Sequence, residues 1–162
     1  MELLAECYAN KCMAEELVYK HGVSGNVRHS YMWGRDRIIK KVYEHAKRKK
    51  DEVFVAVIDY ERGVAREYIN RNFRLQKLEG FQGLLVGISY RQANVLAIVF
   101  DPDIENVLER VLGTKQLSVS QREKLKSNKA CEELKKIFEN NNVKKMLQSL
   151  AKKLLELLGR NI

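Results

Sequence analysis

The chain has a single proline, Pro102, and only three cysteines, Cys7, Cys12 and Cys131, in 162 residues. One proline leaves few forced breaks, so the elements must be read from apolar periodicity and from glycine positions. The cysteines are too few and too scattered for a disulfide framework, and they lack metal-ligand spacing. This usage fits a reducing cytoplasm. No apolar stretch is long enough to cross a bilayer, so no membrane partner is expected. Glu2 and Glu6 interrupt the first apolar run, so no signal peptide is expected either. There is no internal repeat and no low-complexity linker. No glycine-rich phosphate loop follows the first apolar segment, which argues against a P-loop and a dinucleotide fingerprint. His21, His29 and His45 also lack metal-ligand spacing. His21 reads as part of a helix end, and for His29, near Arg28 and Trp33, a position facing the acids is the lesser reading.

The composition that remains is globular, at 45% hydrophobic and 31% charged. The length suits one domain, or a domain with an appendage, and can bury a real core. The net charge of +9 favours an anionic partner, with nucleic acid ahead of membrane. A lysine-rich solvated surface is the plainer reading of the same charge.

The most informative stretch runs from Val53 to Gly63. Val53-Phe54-Val55-Ala56-Val57-Ile58 is an unbroken apolar run rich in β-branched residues, as in a strand buried on both faces of a parallel sheet. It ends in Asp59, with Glu61 two positions on and Gly63 closing the group. Ligand sites of open α/β sheets lie just outside the carboxyl ends of such strands.

The rest of the chain is fitted to that strand. Glu2 to Cys7 reads as a first strand with Glu6 at its end, and Asn10 to Lys20 as a helix stopped by Gly22. Asn26 to Tyr31 is a weaker strand, followed by a loop through Gly34. Arg35 to Lys50 is an amphipathic helix with Ile38, Ile39, Val42, Tyr43 and Ala46 on one face. Its lysines, Lys40 and Lys41 among them, suit either the helix dipole and solvent or a phosphate backbone. Val64 to Asn72 is a short helix, and Phe73 to Gly83 a strand and turn. Leu84 to Ser89 and Val95 to Phe100 form a hairpin with an antiparallel edge. Asp101 then serves as a helix N-cap, Pro102 as the first helical residue, and Asp103 and Glu105 as first-turn acids, in a helix reaching Leu112. The remainder is helical: one segment capped by Ser118 or Ser120, one by Ser127 or Asn128, and a last helix from Val143 to Leu158 after an Asn140-Asn141-Asn142 break. The apolar stripe of that last helix reads as core packing, with a homodimer interface as the alternative.

The sequence therefore implies an α/β fold, with a Rossmann-like, mostly parallel sheet, flanking helices and a C-terminal helical extension. The expected division is an α/β domain over residues 1–113 and a helical extension over 114–162. In such a sheet Glu6, Asp59 with Glu61, and Asp101 with Asp103 and Glu105 lie on one edge. Acids crowded there repel one another and raise one another's pKa. A divalent cation relieves that repulsion, and hard oxygen ligands select Mg²⁺ or Mn²⁺.

A strand ending in Glu6, a helix, a weak strand, a helix, and a strand ending in Asp59-Tyr60-Glu61 with a nearby glycine resembles the TOPRIM domain over roughly residues 1–105. That family occurs in topoisomerases, bacterial-type primases, OLD-family nucleases and small nucleases of RNA maturation. The resemblance implies Glu6 as general acid or base, and Asp59 and Glu61 as the Mg²⁺-holding pair. Cys7 stands where the family usually has glycine, Glu61 where Asp is commoner, and Gly63 one residue early. The expected function is Mg²⁺- or Mn²⁺-dependent phosphodiester chemistry on DNA or RNA, most simply nuclease action. The catalytic set is Glu6, Asp59 and Glu61, with Asp101 or Asp103 as an extra metal ligand. Arg28, Arg62, Arg66, Lys40 and Lys41 are the expected nucleic-acid contacts. The alternative is a non-catalytic nucleic-acid- or protein-binding module in which the acids are caps and turn residues.

Overall fold

The computed structural model describes residues 1–113 and 116–159. The chain runs β1 (Glu2–Ala5), α1 (Tyr8–Lys20), β2 (Asn26–His29), α2 (Arg35–Arg48), β3 (Phe54–Asp59), α3 (Val64–Asn72), β4 (Phe73–Lys77), β5 (Leu84–Ser89), β6 (Val95–Phe100) and α4 (Ile104–Leu112). Then come α5 (Val119–Leu125), α6 (Ala130–Phe138) and α7 (Asn141–Gly159). The strands form one six-stranded sheet in the order β2-β1-β3-β6-β5-β4. The pairs β1/β2, β1/β3 and β3/β6 are parallel, while β4/β5 and β5/β6 are antiparallel. This is the Rossmann-like α/β architecture expected from the sequence, with the antiparallel hairpin at one edge.

The apolar run of β3 is buried throughout because the sheet is covered on both faces, and its side chains alternate between two cores. Val55 and Val57 pack with Leu3 and Ala5 of β1 and Leu96, Ile98 and Phe100 of β6, under α1 and the C-terminal helices. Phe54, Ala56 and Ile58 pack with Leu4, Val95, Ala97 and Val99 on the opposite face, under α2 and Ile69 of α3. The stripe of α7, including Val143, Met146, Leu147, Leu150 and Leu154, lies in the first of these cores. That stripe is thus buried within the chain, and the C-terminal helices share a core with the sheet.

The topology places a site. From β1 the chain moves outward to β2 through α1. It then returns across β1 to β3 through α2 on the other face. Strand order therefore reverses between β1 and β3, and the crevice outside their carboxyl ends is where doubly wound sheets bind ligands.

Several local expectations are corrected. β1 stops at Ala5, and Cys7 is instead the N-cap of α1, its Sγ accepting from Asn10 N. Asp101 is not the cap of α4. Its N–H donates to Gly83 O at 2.7 Å, which keeps it in the sheet hairpin. The cap is Asp103, whose Oδ1 accepts the Asn106 backbone N–H at 2.8 Å. Ser118 caps α5 in a full capping box with Gln121. Ser127 does not cap α6; its Oγ accepts from Lys129 N, and Lys129 stands at the cap position. Asn140 caps α7, its Oδ1 accepting from the N–H groups of Asn142 and Val143, so that helix starts earlier than the asparagine break implies.

The cysteine reading is also corrected. Cys12 of α1 and Cys131 of α6 are joined by a disulfide across 119 residues of sequence, while Cys7 is free. Only tertiary packing of α6 on α1 brings these two positions together, so spacing along the chain carried no trace of it.

Candidate functional site

Glu6 and Asp59 meet at the reversal point. Because β1 and β3 are parallel and in register from Glu2/Phe54 to Ala5/Val57, both strands deliver their terminal acids to one edge. The Glu6 backbone N–H donates to Val57 O at 3.0 Å. Its carboxylate Oε2 in turn accepts the Asp59 backbone N–H at 3.0 Å. Two hydrogen bonds, one through the Glu6 backbone and one through its carboxylate, thus staple Glu6 to the end of β3.

Asp59 continues the alternation of β3 toward the α1 face. There its Oδ1 accepts from Asn10 Nδ2 at 3.4 Å and from the Ile104 backbone N–H at 3.2 Å. The second donor opens α4, so the carboxyl lies at a helix amino terminus. Asn10 is fully buried and also donates to Val57 O, while its Oδ1 has no hydrogen-bond partner among the described residues.

Burial pushes the Asp59 carboxyl up to about 8 from an ordinary 3.8, and the charges of Glu6, Glu105 and Asp103 push in the same direction. Glu6 is raised as well, chiefly by burial. The Asp59 N–H and the Arg35 charge oppose the rise, and Glu61 adds to it. Glu105 is buried, and that burial, with Asp103 beside it, raises its carboxyl too. The edge therefore gathers more negative charge than it can solvate, which is the condition a divalent cation relieves. Cys7 is no nucleophile here: burial, then the Asp59 charge, pushes its thiol up to about 12.

The remaining predicted ligands are held by other partners. Glu61 is exposed, sits at φ 49° with its N–H on Pro102 O, and pairs with Arg35 at 2.9 Å. The Asp101 carboxylate pairs with Arg66, which also lies over the Tyr60 ring at 4.1 Å. Asp103 Oδ1 is occupied by both the backbone and side-chain N–H of Asn106. Among the described residues no three of these acids have ligand atoms mutually within 4.8 Å; the group that does is Cys12, Glu15 and Cys131.

The predicted nucleic-acid contacts are dispersed. Arg28 pairs with Glu2 at 2.7 Å, at the opposite end of β1 from Glu6. Lys40 is exposed on α2, Lys41 lies over the Trp33 ring at 5.0 Å, and Arg62 is exposed beside Glu61. His29 sits on the same edge as Glu6, its Nδ1 against Ala5 O at 3.1 Å and its ring 4.8 Å from Tyr8. A cleft of about 840 Å³ lined by Met1, Ala46, Lys47, Lys50, Val53 and Asn94 opens at the amino edge of the sheet; its acids are Asp51 and Glu52, and none of the predicted site acids lines it.

Comparison with protein-family models, curated proteins and solved structures finds no match.

Asn10 and Arg35 belong to that site and were not legible as such in the sequence. Asn10 lies within an ordinary helical pattern, and only the register of α1 on β3 turns it onto Asp59. Arg35 reads as the first residue of a basic helix. Its side chain is 13% exposed, and its guanidinium acts on both Glu6 and Glu61.

Proposed function

We propose that the chain is a TOPRIM-like protein that binds Mg²⁺ or Mn²⁺ at this edge and acts on the phosphodiesters of DNA or RNA, most simply as a nuclease. One observation supports the reading above the others. Two acids from the parallel strands that flank the reversal point are stapled together, and one of them is held almost neutral by burial and by its acidic neighbours. Asp59 would hold the cation, with Glu61 as the second ligand once it leaves Arg35 and Asp103 or Asp101 as an extra donor; of the neighbouring acids, Glu105 and Asp103 already act on Asp59 through their charge. Bound there, the cation would polarise a phosphoryl oxygen and stabilise the leaving oxygen. Glu6, whose carboxyl burial holds above its ordinary range, would be the group to hold or deliver a proton beside it. Asn10 and the Ile104 N–H fix the orientation of Asp59. Arg62 and Arg66 follow Glu61 within five residues, and the net charge of +9 favours a polyanion. No described helix is long and apolar enough to cross a membrane. A cytoplasmic location belongs to this proposal, with the disulfide as the observation that weighs against it in most cytosols.

Calorimetric titration with Mn²⁺, paired with a cleavage assay on single- and double-stranded DNA and RNA, tests the reading. The expected result is one site and metal-dependent cleavage, both lost in Asp59→Asn, with Glu6→Gln losing cleavage while retaining binding. An absence of Mn²⁺ binding and of cleavage would remove the enzyme reading.

A second reading rests on the ion pairs Glu61–Arg35 and Asp101–Arg66 and on the Asp103 cap. In it the acids are structural, and the basic helices bind nucleic acid or a partner protein without catalysis. Salt-dependent nucleic-acid affinity, unchanged in Asp59→Asn and unaccompanied by cleavage, is its signature.

A further inference from the structure

The Cys12–Cys131 disulfide has an acidic companion that the oxidised state does not explain. Cys12 and Glu15 lie on one face of α1, and Cys131 lies in the first turn of α6. Glu15 Oε2 is 3.7 Å from Cys131 Sγ. A disulfide sulfur has no proton to donate, so the carboxylate gains no hydrogen bond from it. The other oxygen, Oε1, faces Lys11 Nζ at 3.5 Å. The carboxylate is therefore oriented by Lys11 with its second oxygen directed at sulfur. The two sulfurs and a Glu15 oxygen all lie within 4.8 Å of one another.

This is a three-ligand arrangement for a soft, tetrahedral cation. With Zn–S distances near 2.3 Å and Zn–O near 2.0–2.2 Å, the ligand atoms of a tetrahedral site stand about 3.5–3.8 Å apart. The Cys131–Glu15 separation already has that value. The two sulfurs must part once the bond between them is broken, and Cys12 Sγ must settle at the same spacing from Glu15, within 4.8 Å of which it already lies. Two thiolates and one carboxylate select Zn²⁺ over Mg²⁺, and the fourth position falls to water. Lys11 then takes the outer position, holding the ligating carboxylate.

We propose that Cys12, Cys131 and Glu15 form a redox-controlled Zn²⁺ site: a disulfide under oxidising conditions, a Zn²⁺ centre after reduction. A dithiol reductant supplies two electrons and two protons to the sulfur–sulfur bond, leaves as its own disulfide, and yields two thiols. Zn²⁺ then replaces the two thiol protons, which pass to solvent. Either state ties α6 to α1, so the C-terminal helices stay docked on the sheet in both. The site lies on a different helix pair from the Glu6–Asp59 edge and does not depend on any activity there.

The test uses the full chain, as oxidised protein and after reduction by a phosphine that is removed anaerobically. Each form is titrated with Zn²⁺ against a chromophoric chelator, and with Co²⁺ read by absorption. The reduced chain should bind one Zn²⁺ that excess Mg²⁺ does not displace, and Co²⁺ should give thiolate charge-transfer bands with a tetrahedral visible spectrum. The oxidised chain should show neither. Glu15→Gln, which keeps both cysteines, should weaken Zn²⁺ binding by about tenfold or more. If reduction alone costs helical circular dichroism, one equivalent of Zn²⁺ should restore it. The proposal is overturned if reduced and oxidised chains bind alike, if Glu15→Gln binds as tightly as wild type, or if a chain unfolded by reduction fails to recover with Zn²⁺.

Discussion

Replacing Asp59 by Asn should stabilise the metal-free protein at alkaline pH and do little at acid pH. The folded chain holds the Asp59 proton up to about 8, whereas an ordinary aspartate releases it near 3.8. Between those values the folded state binds more protons than the unfolded one, so stability falls as pH rises. Below 3.8 the penalty is absent; above about 8 it is complete. At about 1.4 kcal/mol per pH unit the full penalty is on the order of 6 kcal/mol, an upper figure because solvent and neighbouring groups relax around the ion. Asn keeps the shape and can still accept from Asn10 and the Ile104 N–H while carrying no charge. Urea unfolding of the oxidised wild type and Asp59→Asn, in chelator, across pH 4 to 9 isolates the effect, because every other titrating group is common to both. The difference should be close to zero near pH 4 and reach roughly 3–5 kcal/mol in favour of Asn by pH 9. Added Mn²⁺ should recover much of that gap for wild type and none for the variant. Parallel stability profiles at all pH values would refute the claim that Asp59 is held neutral by burial and like charge.

Replacing both Cys12 and Cys131 by Ala removes a cross-link spanning 119 residues of sequence. On the chain-entropy account, urea unfolding should show a loss of about 4–5 kcal/mol. Asp103→Ala removes the side-chain cap of α4 and should cost ~1 kcal/mol, seen as a fall in Tm of roughly 2–4 °C. Arg35→Gln withdraws the cation shared by Glu6 and Glu61, so Mn²⁺ affinity measured by calorimetry should rise several-fold at low salt. Phe100→Ala empties the core at the end of β6 and should destabilise by ~3–5 kcal/mol in the same unfolding assay.

The centre of the sheet was legible because β1, β3, β5 and β6 are short apolar runs, whereas β2 and β4 are largely polar. β5 and β6 fall where the runs Leu84 to Ser89 and Val95 to Phe100 put them, and α3 fills the span from Gly63 to Phe73. Helix starts were less legible. Asp101, Asp103, Ser127 and Asn128 are all competent caps by residue type, and hydrogen bonds made elsewhere in the fold decide which is used. At the site, the acids could be gathered onto one edge from sequence because each follows a buried strand. Which of them meet could not: Arg35 and Arg66 draw Glu61 and Asp101 aside, and those arginines come from helices whose rotation about their axes is fixed only by packing. The disulfide was hidden for the same reason, since it depends on where α6 crosses α1.

The central claim is that the Glu6–Asp59 edge is built to take a divalent cation. Mn²⁺ titration of the oxidised wild type beside Asp59→Asn, followed by calorimetry at pH 7, tests it most directly. The account requires one saturable site in wild type, with protons released as Asp59 ionises on binding, and no such site in the variant. Equal heats in the two proteins, or Mn²⁺ binding without proton release, would contradict it.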